Sequence, residues 1–142
     1  MEHPLETVRA LAPFALTVHF KDQAVRESED GFLFADVALG EGFIDLAAIV
    51  KILRDAKPLI RFNLEVITRD PLGVPVLTTG FWTTLPDIRA SELARVLSVV
   101  KAKGSTKPFV TVSQLTIDQQ LGLELRNVER SFAYARELLG LI

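Results

Sequence analysis

Two short segments concentrate the residues that could do chemistry. His19, Lys21 and Asp22 end the apolar run that starts at Phe14, and Asn63, Glu65, Arg69 and Asp70 lie in or just beyond the run 60–67. A neutral imidazole and a carboxylate can share a divalent ion, so His19 and Glu65 are a candidate ligand pair for Mn²⁺, Mg²⁺, Co²⁺ or Zn²⁺. The plain alternatives are a structural histidine and a strand-end carboxylate satisfied by a salt bridge or by water. Lys21 and Arg69 are candidates to bind substrate oxygens or a phosphate, against ordinary ion pairing with Asp22 or Asp70. Asn63 is spaced to orient Glu65 by a hydrogen bond from behind the ligand. The chain has no cysteine, which excludes disulfides, thiolate-held metals and a cysteine nucleophile. Gly40 and Gly42 bracket Glu41 in a shaped loop, but they match neither GxGxxG nor GxxxxGK, the phosphate-cradling patterns. With two histidines in all, a self-contained metal site would have to be rich in carboxylates, and His3 reads as solvated.

These residues need elements to position them. Pro4 suits the first turn of a helix, with Leu5, Val8, Leu11 and Ala12 on one face and Pro13 as its stop. Residues 14–20 then read as a buried parallel strand, because they are almost continuously apolar and gather their polar residues at the C-terminal end. Residues 23–43 read as a long connection with a charged front, a turn at 29–31 and a short extended piece at 32–37. Asp45 is placed to cap a helix whose apolar positions are Leu46, Ile49, Val50 and Leu53, closed by Pro58. Residues 60–67 alternate as a second strand. The region 72–86 lacks periodicity and reads as a loop with one helical turn. Residues 88–102 read as a helix, residues 103–108 as a breaker, and Thr116 with Gln119 as a capping box that opens a long final helix. Parallel neighbours need a crossover helix, which residues 45–56 supply.

The bulk numbers bound the possibilities. A length of 142 residues suits one ordinary domain, and a 49% hydrophobic content is ample for a core. Sixteen Lys+Arg against 18 Asp+Glu leave a net charge of -2, which argues against a nucleic-acid surface. Apolar runs fall well short of the roughly 20 residues of a membrane helix. With no basic leader and apolar h-region, the expected compartment is the cytoplasm.

Taken in order, His19-Phe20-Lys21-Asp22, Leu39-Gly40-Glu41-Gly42 and Phe62-Asn63-Leu64-Glu65-Val66-Ile67-Thr68-Arg69-Asp70-Pro71 resemble the C-terminal part of xylose isomerase-like sugar phosphate isomerases and epimerases. These are metal-dependent TIM barrels. The resemblance implies an α/β fold, a partial (β/α)8 barrel made of the last two βα units plus a C-terminal helical extension. Residues 1–85 would be the barrel part and 86–142 the extension. It implies that His19 and Glu65 are metal ligands at the ends of the seventh and eighth strands, with Glu65 also the catalytic acid/base. Glu41, Lys21, Arg69 and Trp82 would contact a sugar or sugar phosphate, with Trp82 either walling the sugar ring or anchoring the extension. The reaction implied is proton transfer through a cis-enediolate, assisted by a divalent metal. A barrel of this kind runs to roughly 250 residues. The expected partner is therefore a missing N-terminal barrel half or a second copy, and the chain alone is expected to be incomplete and inactive. The competing expectations are an abasic-site endonuclease-like barrel and a non-catalytic segment that requires a partner.

Overall fold

The structure is a computed structural model that describes residues 2–141. α1 (Pro4–Leu11) leads through a 3₁₀ turn at Ala12–Phe14 into β1 (Thr17–Phe20). A hairpin follows, β2 (Asp22–Ser28) and β3 (Gly31–Val37), then α2 (Leu46–Ala56) and β4 (Arg61–Leu64). β5 (Leu72–Val74), a 3₁₀ segment at Thr79–Thr84, α3 (Ala90–Lys103), a 3₁₀ turn at Val112–Gln114 and α4 (Ile117–Glu137) complete the order.

The expectation of a partial (β/α)8 barrel is overturned. β1 and β4 form a two-stranded parallel sheet, and β2, β3 and β5 form a separate three-stranded antiparallel sheet. The molecule is a small α/β domain. The reason lies in residues 22–37, most of which read from sequence as a connection with a charged front and a short extended piece. Their register pairs Asp22 with Val37 and closes at Ser28 and Gly31. The pairing buries Ala24, Val25, Phe32 and Ala35 on the sheet. Gly31 takes φ 149°, and a Cβ there would overlap the main chain of β5, so glycine lets the third strand come close. Such local pairing needs little loop-closure entropy, whereas parallel pairing across the whole segment would need a second crossover.

The parallel pair does form as its pattern predicts. Register runs from Thr17 opposite Arg61 to Phe20 opposite Leu64, and α2 makes the crossover. The Asp45 side chain accepts from the Ala48 N–H and caps α2, while Leu46, Ile49, Val50 and Leu53 are buried on one face. Burial of each such side chain contributes about 1.5–3 kcal/mol. These residues form one core with Phe20, Leu39, Ala135 and Leu139, and with Val18, Phe62 and Leu64 packed against it. A second core lies between the antiparallel sheet and α3, built on Val25, Phe32, Val76, Val96 and Val100. Residues alternate across a strand, so Thr17, His19, Asn63 and Glu65 face the opposite side of the parallel sheet from this first core. No helix among the described residues is long and apolar enough to cross a membrane.

Candidate functional site

Parallel strands end together, and the C-terminal ends of β1 and β4 bring three titratable groups into contact. His19 Nδ1 stands 2.8 Å from Glu65 Oε2, and Lys21 Nζ donates to Glu65 Oε1 at 2.6 Å. The Glu65 N–H also donates to the Phe20 carbonyl at 3.0 Å, so the ladder extends one residue past β4 and fixes the base of this side chain. The Lys21 hydrogen bond, and after it the His19 hydrogen bond, hold the Glu65 carboxyl below its ordinary range. Glu65 is thus an ionised carboxylate with a donor at each oxygen. The His19 side chain is 71% exposed and those of Lys21 and Glu65 about 30%, so solvent reaches the cluster.

The other expected site residues lie apart from it. Asn63 is directly opposite His19 in register, but its amide donates to Thr17 Oγ1 at 2.6 Å and to the Val18 carbonyl at 3.3 Å. It ties β4 to β1 and does not orient Glu65. Glu41 pairs with Arg130 of α4. Arg69 Nη2 lies 3.0 Å from Asp36 Oδ2, close but poorly aligned. Both pairs border a cleft of about 240 Å³ that also takes in Thr68 and Asn127. Trp82 donates from Nε1 to the Val76 carbonyl at 2.9 Å and packs edge-to-face on Phe81 in the second core. Trp82 also lines an apolar cleft of about 450 Å³ with Phe32, Phe34 and Leu93.

Sequence reasoning missed the groups that shape the loop beside the cluster. Asp22 is buried, with its Oδ2 accepting from the Gly40 and Gly42 N–H groups at 3.0 and 2.9 Å and its Oδ1 from Gln23 at 2.9 Å. Burial raises its pKa, and the hydrogen bonds from Gly42, Gln23 and Gly40 oppose the rise. A Cβ on Gly42 would overlap this carboxylate, and Gly40, at φ 87°, lies under the Tyr134 ring. Ser131 is fully buried on α4, accepts from the Leu39 N–H at 3.1 Å and donates to the Asn127 carbonyl at 2.7 Å. The spacing of Asp22 from Gly-x-Gly was visible, but nothing local says which backbone groups a carboxylate will clamp.

Whether the residues fit a metal can be tested on the donor set. His19 and Glu65 supply two donors, and the Lys21 ammonium already engages one Glu65 oxygen. Among the described residues no group of three or more His, Asp or Glu side chains comes together. The pair alone offers two donors, fewer than the three or four protein ligands of a typical zinc site. Chemically, the cluster can hold a carboxylate ionised, exchange a proton between it and an imidazole, and present an ammonium to a neighbouring oxygen. Comparison with known proteins finds no matching family model, no matching curated protein and no matching solved structure, so the likeness to sugar isomerases rests on the motifs alone.

Proposed function

We propose that the His19–Lys21–Glu65 cluster is one side of a proton-transfer site for a sugar or sugar phosphate, of the isomerase or epimerase kind. The other side is supplied by another polypeptide. The observation that supports this reading is one carboxylate held by both an imidazole and an ammonium at the C-terminal ends of two parallel strands. In open α/β sheets that end is where ligands bind.

In this reading Glu65 takes the proton from the carbon next to the sugar carbonyl. Lys21 stands beside the oxygen that gains charge as the enediolate forms. His19, bonded to Glu65 and open to solvent, holds the carboxylate in its ionised form and exchanges its proton with water. Delivering a proton to the opposite face, as epimerisation requires, needs a second acid. No third His, Asp or Glu joins the cluster among the described residues, which is why the reading includes a partner. A divalent metal would likewise need ligands from that partner, and no step here is assigned to one.

The test is a titration of the full chain with fructose 6-phosphate and with fructose, followed by NMR in D₂O. Expected are weak shifts at His19, Lys21 and Glu65 that vanish in Glu65→Gln, with no deuterium uptake into sugar by the chain alone. Shifts confined to other regions, or uptake that survives Glu65→Gln, contradict the reading.

A further inference from the structure

We propose that the open edge of β4 is the docking site for an extended, acidic strand of another polypeptide. In a parallel ladder the N–H and C=O of one residue point to the same side, and neighbouring residues alternate. The bond from Glu65 N–H to Phe20 C=O sets the phase. Arg61, Asn63 and Glu65 therefore turn their main chain towards β1, and Phe62 and Leu64 turn theirs away from it. Among the described residues β1 is the sole strand neighbour of β4, so those outward groups meet no sheet partner there.

Beyond them a groove of about 390 Å³ separates β4 from α4. Its lining includes Phe20, Phe62, Leu64, Phe132 and Ala135, and its only charged side chains among the described residues are Arg54 and Arg61. Arg54 donates to the Gly140 carbonyl at 3.1 Å, and neither arginine has an ion-pair partner among the described residues. An apolar floor, a row of outward peptide groups and a positive rim together select the occupant. A strand supplies main-chain partners at the repeat of Phe62 and Leu64, apolar side chains for the floor and carboxylates for the arginines. A second copy joined edge to edge would bring a groove lined, among the described residues, by the same two arginines and by no carboxylate to meet them.

A strand added here would present alternate side chains on the face that carries Asn63 and Glu65. It is thus a route by which a partner brings the second acid to the site. That link rests on the proton-transfer reading, whereas the docking itself does not.

The test is amide hydrogen exchange on the full chain with three synthetic peptides. These are acetyl-Val-Glu-Val-Glu-Val-Glu-amide, its lysine counterpart, and the glutamate peptide with its middle valine replaced by proline. The glutamate peptide should slow exchange at Phe62 and Leu64 about tenfold or more at saturation. The lysine peptide should bind about tenfold more weakly, the effect of one to two charge pairs, and the proline peptide should give no protection. Arg61→Glu, at an exposed position, should reverse the preference between the charged peptides. Unchanged exchange at both amides under saturating glutamate peptide, or equal binding of the two charged peptides, overturns the proposal. So does protection of the two amides by self-association of the chain alone. The sugar titration reads His19, Lys21 and Glu65 instead, so either proposal can fail without the other.

Discussion

Replacing Asp22 with alanine tests how the loop beside the cluster is held. Asp22 takes three backbone N–H groups, from Gln23, Gly40 and Gly42, in a position that is 1% exposed. Alanine leaves all of them without this acceptor. At about 1 kcal/mol per stranded donor, the low end of the usual cost, the loss is about 3 kcal/mol. Relief of the buried charge reduces it, and withdrawal of water-excluding contacts around the loop adds to it. Urea denaturation of wild type and Asp22→Ala at pH 7 should show the midpoint falling with the slope little changed.

The pH dependence carries a sign. Burial raises the Asp22 pKa, so the native state binds the proton more readily than the unfolded chain, whose Asp titrates at about 3.9. The proton-linked stability is fully present below that value and is lost as pH rises through the folded pKa. The gap between wild type and Asp22→Ala should therefore be larger at pH 4 than at pH 7. A loss below about 1 kcal/mol at pH 7, or a gap that widens with rising pH, would refute the argument.

Other perturbations address separate links. Glu65 is held ionised first by Lys21 and then by His19, so its pKa should rise more in Lys21→Met than in His19→Ala, read from the carboxyl carbon shift. The stabilisation tied to Glu65 is present above the ordinary Glu value and disappears as pH falls through the folded one, so Lys21→Met should flatten stability against pH in that acid range. Ser131→Ala leaves the buried Leu39 N–H without its acceptor and should cost about 1–2 kcal/mol in chemical denaturation. Thr116→Ala removes one half of a formed capping box at the start of α4 and should cost about 1 kcal/mol, with the loss of helical signal confined to the first turns.

Much of the local structure was legible in the sequence because it is decided by near neighbours. Pro4, Asp45 with its apolar i, i+3, i+4 positions, and Thr116 with Gln119 mark helix ends through bonds made within a few residues. The parallel pair followed from the apolar run before His19, the alternation through Phe62 and Leu64, and a helix between them. What was not legible depended on distant partners. β2 carries Asp22, Gln23, Arg26, Glu27 and Ser28 and looks like a solvated connection. It becomes a strand because β3 returns against it and α3 covers Val25. That hairpin is also what turned an expected barrel wall into two small sheets. At the site, the contact of His19, Lys21 and Glu65 follows from register, one residue opposite the next. The separation of Glu41, Arg69 and Trp82 from it does not, because Arg130, Asp36 and Val76 claim them across long stretches of chain.

A site of His19, Lys21 and Glu65 that another polypeptide completes should hold a divalent ion only weakly in this chain. Titration of the isotope-labelled chain with Mn²⁺, read as paramagnetic line broadening, tests it most directly. Broadening should centre on the His19 imidazole and the Glu65 carboxylate, saturate only at millimolar ion, vanish in Glu65→Gln and strengthen in Lys21→Met, where the competing ammonium is gone. Saturation at micromolar Mn²⁺ with sugar turnover by the chain alone would contradict it, as would broadening centred on any other group of residues.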